Sequence, residues 1–222
     1  MMCRQYCIII MKILIFGATG KTGMEAVKQA LEKGHDVVAF VRDPQKMTIT
    51  HEKLSLVKGD VTDVNVVESA VEGVDGVIVA LGASADMQAD IVLAQGTANI
   101  IDAMKQHGIK RLVIQSSYPM SGYEDGIEFL KQVGMGEEQI NMMKPVLDDK
   151  RKQIEAVLQS GLEFVVVKPM MLTDEAKTGK YRVDENLAVK PGDKISRADV
   201  ADFMLKSLIN SDFVGKIVTI TD

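Results

Sequence analysis

Lys12 to Gly23 reads KILIFGATGKTG: an apolar run stops at Phe16 and gives way to glycines at positions 17, 20 and 23. The run from about Met11 to Phe16 has the composition of a buried first strand. Beyond the glycines, Met24, Val27 and Leu31 recur on one face of a helix that Gly34 ends. A strand that turns through glycines directly into a helix opens a βαβ unit. Such a turn can aim backbone N–H groups at a pyrophosphate with no Cβ in the way. In this reading Gly17 permits the tight turn, Gly20 lets phosphate come close, and Gly23 lets the helix pack on the sheet. Thr19, Lys21 and Thr22 complete the loop. The spacing is G-x-x-G-x-x-G, one residue longer between the first two glycines than the common dinucleotide fingerprint. Gly-Lys-Thr at 20–22 lacks the four-residue spacer of a Walker A loop, so phosphoryl transfer from ATP is disfavoured.

Outward from this turn the chain alternates strand and helix. Strands are expected at Asp36 to Arg42, Leu54 to Lys58, Gly76 to Leu81, Lys110 to Gln115, Glu163 to Lys168 and Lys216 to Ile220. Helices are expected at Asp63 to Glu72, Met87 to Gln106, Asp148 to Gln159 and Ser196 to Asn210, the last with Ser196 as N-cap and Asp199 in its first turn. The strand at Gly76 to Leu81 is apolar without alternation, as in a parallel sheet covered on both faces. These elements predict an α/β fold of the doubly wound type, with a mostly parallel sheet of about seven strands. Residues 1–10 read as an N-terminal extension, with Met11-Lys12 an alternative start, and 11–222 as one domain. Two segments, 118–145 and 170–195, are left as small insertions on the substrate side. They carry Met120, Met135, Met142, Met143, Met170 and Met171, which suit either an adaptable apolar surface or a satellite core.

Composition sets the outer limits. The chain has 222 residues, 46% hydrophobic and 26% charged, which argues against disorder. A net charge of −5 disfavours general affinity for nucleic acid or an anionic membrane, so an anionic ligand needs a local cluster of donors. Cys3 and Cys7 lie together at the N-terminus and cannot staple a fold, which favours a reducing, cytoplasmic setting. CIIIMKILIF at 7–16 is too short and interrupted for a membrane span, and no convincing signal-peptide cleavage site follows it. His35, His51 and His107 show no metal-ligand spacing.

The second strand ends at Phe40-Val41-Arg42. In a dinucleotide fold an acidic residue there accepts the ribose 2′-OH of NAD, whereas a basic one suits the 2′-phosphate of NADP. Arg42, with Lys21 nearby, points to NADP(H), with NAD(H) as the alternative.

Taken together, GATGKTG at 17–23, VRDP at 41–44, KGDVTD at 58–63, SGLEFVVVKP at 160–169 and ISRADVADFML at 195–205 resemble the atypical short-chain dehydrogenase/reductases. The similarity is strongest to the compact group of NmrA-like NADP-binding proteins, biliverdin IXβ/flavin reductases and NADH-flavin reductases. It implies that Asp60 and Val61 flank the adenine. It also implies that Ala80, Leu81 and Gly82 line the cofactor site at the fourth strand, and that Pro169 and Met170 lie beside the nicotinamide.

The wider family pairs a serine after the fifth strand with a Tyr-x-x-x-Lys helix. Ser117 occupies the serine position in QSSYPMSG. With Glu155 as the anchor, the tyrosine position falls on Leu147 and the lysine position on Arg151, neither suited to proton transfer. Tyr118 and Tyr123 lie in the loop after the fifth strand and could substitute, though Tyr123 has Ile127 four residues on. Hydride transfer to a flavin or quinone is less demanding, because the acceptor is electrophilic and water can supply its proton. The expected function is therefore an NAD(P)H-dependent reductase acting on a small planar acceptor, with Ser117 and Tyr118 as its candidate catalytic residues. The alternatives are a non-catalytic NADP-binding redox sensor that docks on a protein partner, and a sugar-nucleotide epimerase or dehydratase.

Overall fold

The computed structural model describes residues 10–82, 92–118 and 123–222. Cys3, Cys7, Met120 and the expected helical start at 87–91 lie outside the described residues. In chain order the elements are β1 (Lys12–Phe16), α1 (Lys21–Glu32), β2 (Asp36–Val41), β3 (Leu54–Lys58), α2 (Val64–Val71), β4 (Gly76–Val79), α3 (Leu93–Gln106) and β5 (Arg111–Gln115). They continue with α4 (Tyr123–Gln132), α5 (Glu137–Leu158), β6 (Glu163–Pro169), β7 (Met171–Thr173), β8 (Arg182–Asp184), β9 (Lys194–Ser196), α6 (Arg197–Ile209) and β10 (Lys216–Thr221).

Eight strands form one sheet in the order β3-β2-β1-β4-β5-β6-β10-β8, parallel except for β8, which runs antiparallel along β10. A separate pair, β7 with β9, stands beside it. The order reverses at β1, whose neighbours are β2 and β4, with Phe16 level with both Phe40 and Val79. That reversal opens a crevice at the carboxyl ends of the strands, where α/β sheets of this kind bind ligands.

The run of unalternated apolar residues in β1 is explained by burial on both faces. Leu14 and Phe16 join one core with Val77, Val79, Ile100 and Met104. Ile13 and Ile15 join the other with Ala26, Val27, Val200 and Met204. Burying each such Leu, Ile or Val contributes about 1.5–3 kcal/mol before entropy is counted. Helices α2, α3 and α5 cover the first face, and α1 with α6 covers the second.

Within segment 118–145 lies α4, and α5 begins at Glu137, not at the expected Asp148. Pro145 lies inside α5. Its missing N–H deprives only the carbonyl of Asn141, and both residues are exposed, so the helix continues through it. Glu137 and Glu138 in the first turn, and the Gly136 N–H donating to Gln139 Oε1 at 3.0 Å, set the true start. β4 stops two residues short of Leu81, because Ala80 donates to Phe16 and then turns its carbonyl toward Gly17. The methionines divide: Met135 and Met143 pack on the first core and Met170 is buried, whereas Met142 and Met171 are exposed. Among the described residues no helix is long and apolar enough to cross a membrane.

Candidate functional site

A cleft of about 570 Å³ lies at the carboxyl ends of β1, β2, β4 and β5, a volume in the range of small-molecule sites. Its floor is the β1–α1 turn. Gly17 sits at φ +73°, and a Cβ there would lie 2.5 Å from the Ala80 carbonyl oxygen, so the turn excludes any side chain. Gly23 is needed for a different contact from the expected one: its Cβ would lie 2.1 Å from the Gly17 carbonyl oxygen. It packs α1 against the peptide that opens the turn. α1 starts at Gly20 with no side-chain cap, so the first N–H groups of the helix stay available to an anion. Thr19, Gly20, Lys21 and Thr22 line this end, and Gly23 lies just behind it.

Along the β2 edge the wall is Phe40, Val41, Arg42 and Lys46, with Asp60 and Val61 opposite. The Phe40 ring leans on Phe16 at a centroid distance of 4.7 Å, which fixes the end of β2. Arg42 and Lys46 are exposed cations at the mouth. Asp60 Oδ1 accepts from the Thr62 N–H at 2.9 Å and its hydroxyl at 2.7 Å. These bonds, led by the backbone one, hold the Asp60 carboxyl below its usual range, with Arg42 adding to the effect. Ala80, Leu81 and Gly82 form the β4 side.

The far end of the cleft holds Gln115, Ser116, Ser117 and Lys150. The Lys150 ammonium donates to Ser117 Oγ at 3.0 Å. Desolvation pushes this lysine down to about 8. The expected alignment of α5 is therefore one residue out. Lys150, not Arg151, faces Ser117, and the residue one turn earlier is Val146, not Leu147. Successive helical residues are rotated by about 100°, so the shift by one moves a side chain off the site. Arg151 instead lies on the solvent side, paired with Glu155 at 3.0 Å, and Leu147 is buried in the core. The signal for Lys150 was its place among Val146, Leu147, Gln153 and Ile154, the buried stripe of α5. Its neighbour Asp149 caps the start of α3, accepting from Leu93 N–H at 2.7 Å and Ala94 N–H at 3.3 Å.

Gln115 Oε1 and Ser116 Oγ belong to residues at this end but are themselves shut away from water, with no partner among the described residues. The uncapped N–H groups of α1 and the cations Lys21, Arg42 and Lys46 along the cleft fit the phosphates of the cofactor.

Tyr118, Pro169 and Met170 lie outside the wall of the cleft, Met170 buried behind it. Tyr118 turns its ring edge-on to Phe129 at 5.0 Å, and its N–H donates to the Pro169 carbonyl at 3.0 Å. Pro169 closes β6 in the sheet, level with Ile220. Tyr123 opens α4, but its side chain lies outside the described residues. Leu172 and Arg197, which enter the wall from the segment after β6 and from α6, were not foreseen. The histidines are elsewhere: His35 Nδ1 accepts from the Met11 N–H at 3.2 Å, His51 Nδ1 from Lys53, and His107 lies near Glu68. Among the described residues no group of acids, histidines or cysteines could hold a metal.

A protein of Arabidopsis thaliana described as uncharacterized and chloroplastic is 28% identical over 217 residues, covering 94% of this chain and 76% of that one. Protein TIC 62, chloroplastic, of Pisum sativum is 26% identical over 228 residues, covering 90% of this chain but only 40% of its own length. Among solved structures, ChuY, an anaerobillin reductase from Escherichia coli O157:H7, superposes with a TM-score of 0.75 at 23% identity, covering 94% of this chain and 96% of that one; this likeness shows the fold. The NAD(P)H-binding family profile matches residues 17–211, which include the glycine turn, Arg42, Asp60, Ser117 and Lys150, and the chain belongs to that family.

Proposed function

We propose that the chain is an NAD(P)H-dependent reductase that passes hydride to a small planar acceptor such as a flavin or quinone, with NADP(H) preferred. The observation that carries the reading is the Lys150–Ser117 pair at one end of a cleft whose other end is built for phosphate. When bound, the reduced cofactor supplies the hydride. Ser117 Oγ accepts a hydrogen bond from Lys150, so its own proton is free to point at an acceptor atom. As that atom gains electrons it takes the Ser117 proton, Lys150 returns one to the serine, and solvent reprotonates the lysine. An ammonium pushed down to about 8 gives up its proton far more readily than an ordinary lysine. Arg42 with Lys46 engages the 2′-phosphate.

Val146 in the tyrosine position supports an acceptor of this class, since that position offers no phenol to drive alcohol–carbonyl exchange. The same residue is the observation behind the second reading, a non-catalytic NADP-binding redox sensor with a protein partner. The cytoplasmic setting read from cysteine usage belongs to this proposal as well. Stopped-flow mixing of protein, NADPH and a panel of flavins and quinones tests it. Cofactor oxidation above the uncatalysed rate, lost in Lys150→Met, is expected. No acceleration with any acceptor, together with unequal affinity for oxidised and reduced cofactor, would replace the reductase with the sensor.

A further inference from the structure

The first residue of α1 and the first residue of α6 point their cations at the same carboxylate. Lys21 Nζ lies 2.5 Å from Asp174 Oδ2, and Arg197 Nη1 lies 2.5 Å from Asp174 Oδ1. Lys21 and Arg197 both line the cleft that the uncapped start of α1 opens onto, so Asp174 holds two of its cations. Both interactions hold the Asp174 carboxyl below its usual range, the Lys21 bond foremost.

The segment that carries Asp174 is anchored from behind. Buried Asp199 on α6 accepts from the Thr178 and Gly179 N–H groups at 3.0 and 2.7 Å, and from the Thr178 hydroxyl. Buried Asp202 accepts from the Tyr181 hydroxyl at 3.0 Å and pairs with Lys177 at 3.7 Å. These contacts end on two buried carboxylates. The Asp174 contact is not: its side chain is 58% exposed and that of Lys21 is 69% exposed. A strap pinned firmly to α6 therefore offers one weakly held carboxylate to the phosphate loop.

We propose that Asp174 is an intramolecular competitor for the cofactor phosphate, and that Lys21 and Arg197 form the anion subsite it fills. This rests on the dinucleotide reading of the cleft. A phosphate brings more charge and more acceptor oxygens than a carboxylate, so it takes over both cations and Asp174 swings to solvent. Asp174 thereby sets the affinity for phosphate-bearing ligands and leaves that for bare nucleosides alone.

The test measures dissociation constants of NADPH, NADH, inorganic pyrophosphate and adenosine for wild type, Asp174→Asn and Asp174→Glu. Asp174→Asn should bind NADPH and pyrophosphate about fivefold more tightly, the size expected when one exposed and one half-exposed ion pair no longer compete. Adenosine should be unchanged, and Asp174→Glu should remain near wild type. A residue that only braces the strap would change adenosine and thermal stability along with the rest. Unchanged or weaker pyrophosphate binding in Asp174→Asn overturns the inference, whatever NADPH does. If wild type binds pyrophosphate but neither NADPH nor NADH, and Asp174→Asn tightens it, the subsite stands and the cofactor reading falls.

Discussion

Replacing Lys150 by Met should stabilise the protein while disabling it. The lysine titrates near 8 in the folded state against 10.5 in an exposed one, because burial penalises its charge. A base whose folded pKa is depressed costs stability when protonated: the cost is full below about 8 and vanishes above 10.5. A shift of about 2.5 units corresponds to roughly 3 kcal/mol at ~1.36 kcal/mol per unit. Lys150 retains some exposure, and its bond to Ser117 is worth about 1 kcal/mol, so the net gain for Met should be about 2 kcal/mol at neutral pH. For a chain of this size that raises Tm by about 4–8 °C. The assay is thermal unfolding of both proteins across the pH range, alongside the reductase rate. The gain should shrink as pH rises from 8 toward 10.5, and the rate should fall by about 100-fold or more with the proton source removed. A Tm that is lower at neutral pH, or a gain that does not decline with pH, would refute the desolvated-lysine argument. A raised Tm with full activity would refute its role in proton delivery.

Three other substitutions test separate parts of the site. Gly23→Ala drives a Cβ to 2.1 Å from the Gly17 carbonyl oxygen. It should cost about 1–3 kcal/mol in denaturant unfolding and weaken NADPH binding, because neither backbone can yield without moving α1. Arg42→Ser should weaken NADPH by about tenfold or more while leaving NADH nearly unchanged, as a titration of both cofactors would reveal. Asp149→Ala removes the acceptor for the Leu93 and Ala94 N–H groups. It should cost about 1–2 kcal/mol and speed hydrogen exchange at the first turn of α3.

Much of the molecule was legible in one dimension because its signals are local. The change from apolar run to glycines at Phe16–Gly17 marks strand, turn and helix over about a dozen residues. β3 keeps its expected bounds of Leu54 and Lys58, and α6 takes Ser196 as its cap, because capping is decided within four residues. The glycine turn, Arg42 and the β4 edge reach the cleft for the same reason: each sits at the carboxyl end of a strand whose place in the sheet follows from connection rules.

What escaped was register and long-range pairing. Glu155 looked like an anchor for the catalytic helix, yet it is tied to Arg151 on the solvent side, and the burial of α5 against α3 turns Lys150 inward. Nothing local separates positions 150 and 151, because both are basic residues in the same helix. Only packing of the buried stripe chooses between them. The same holds for Arg197 and Asp174, which reach the phosphate loop from more than 150 residues away along the chain. The sequence by itself determined the parallel part of the sheet, the glycine turn and the family. The tertiary structure decided which lysine meets Ser117 and which carboxylate waits at the phosphate loop, since burial and charge pairing depend on what lies across the cleft.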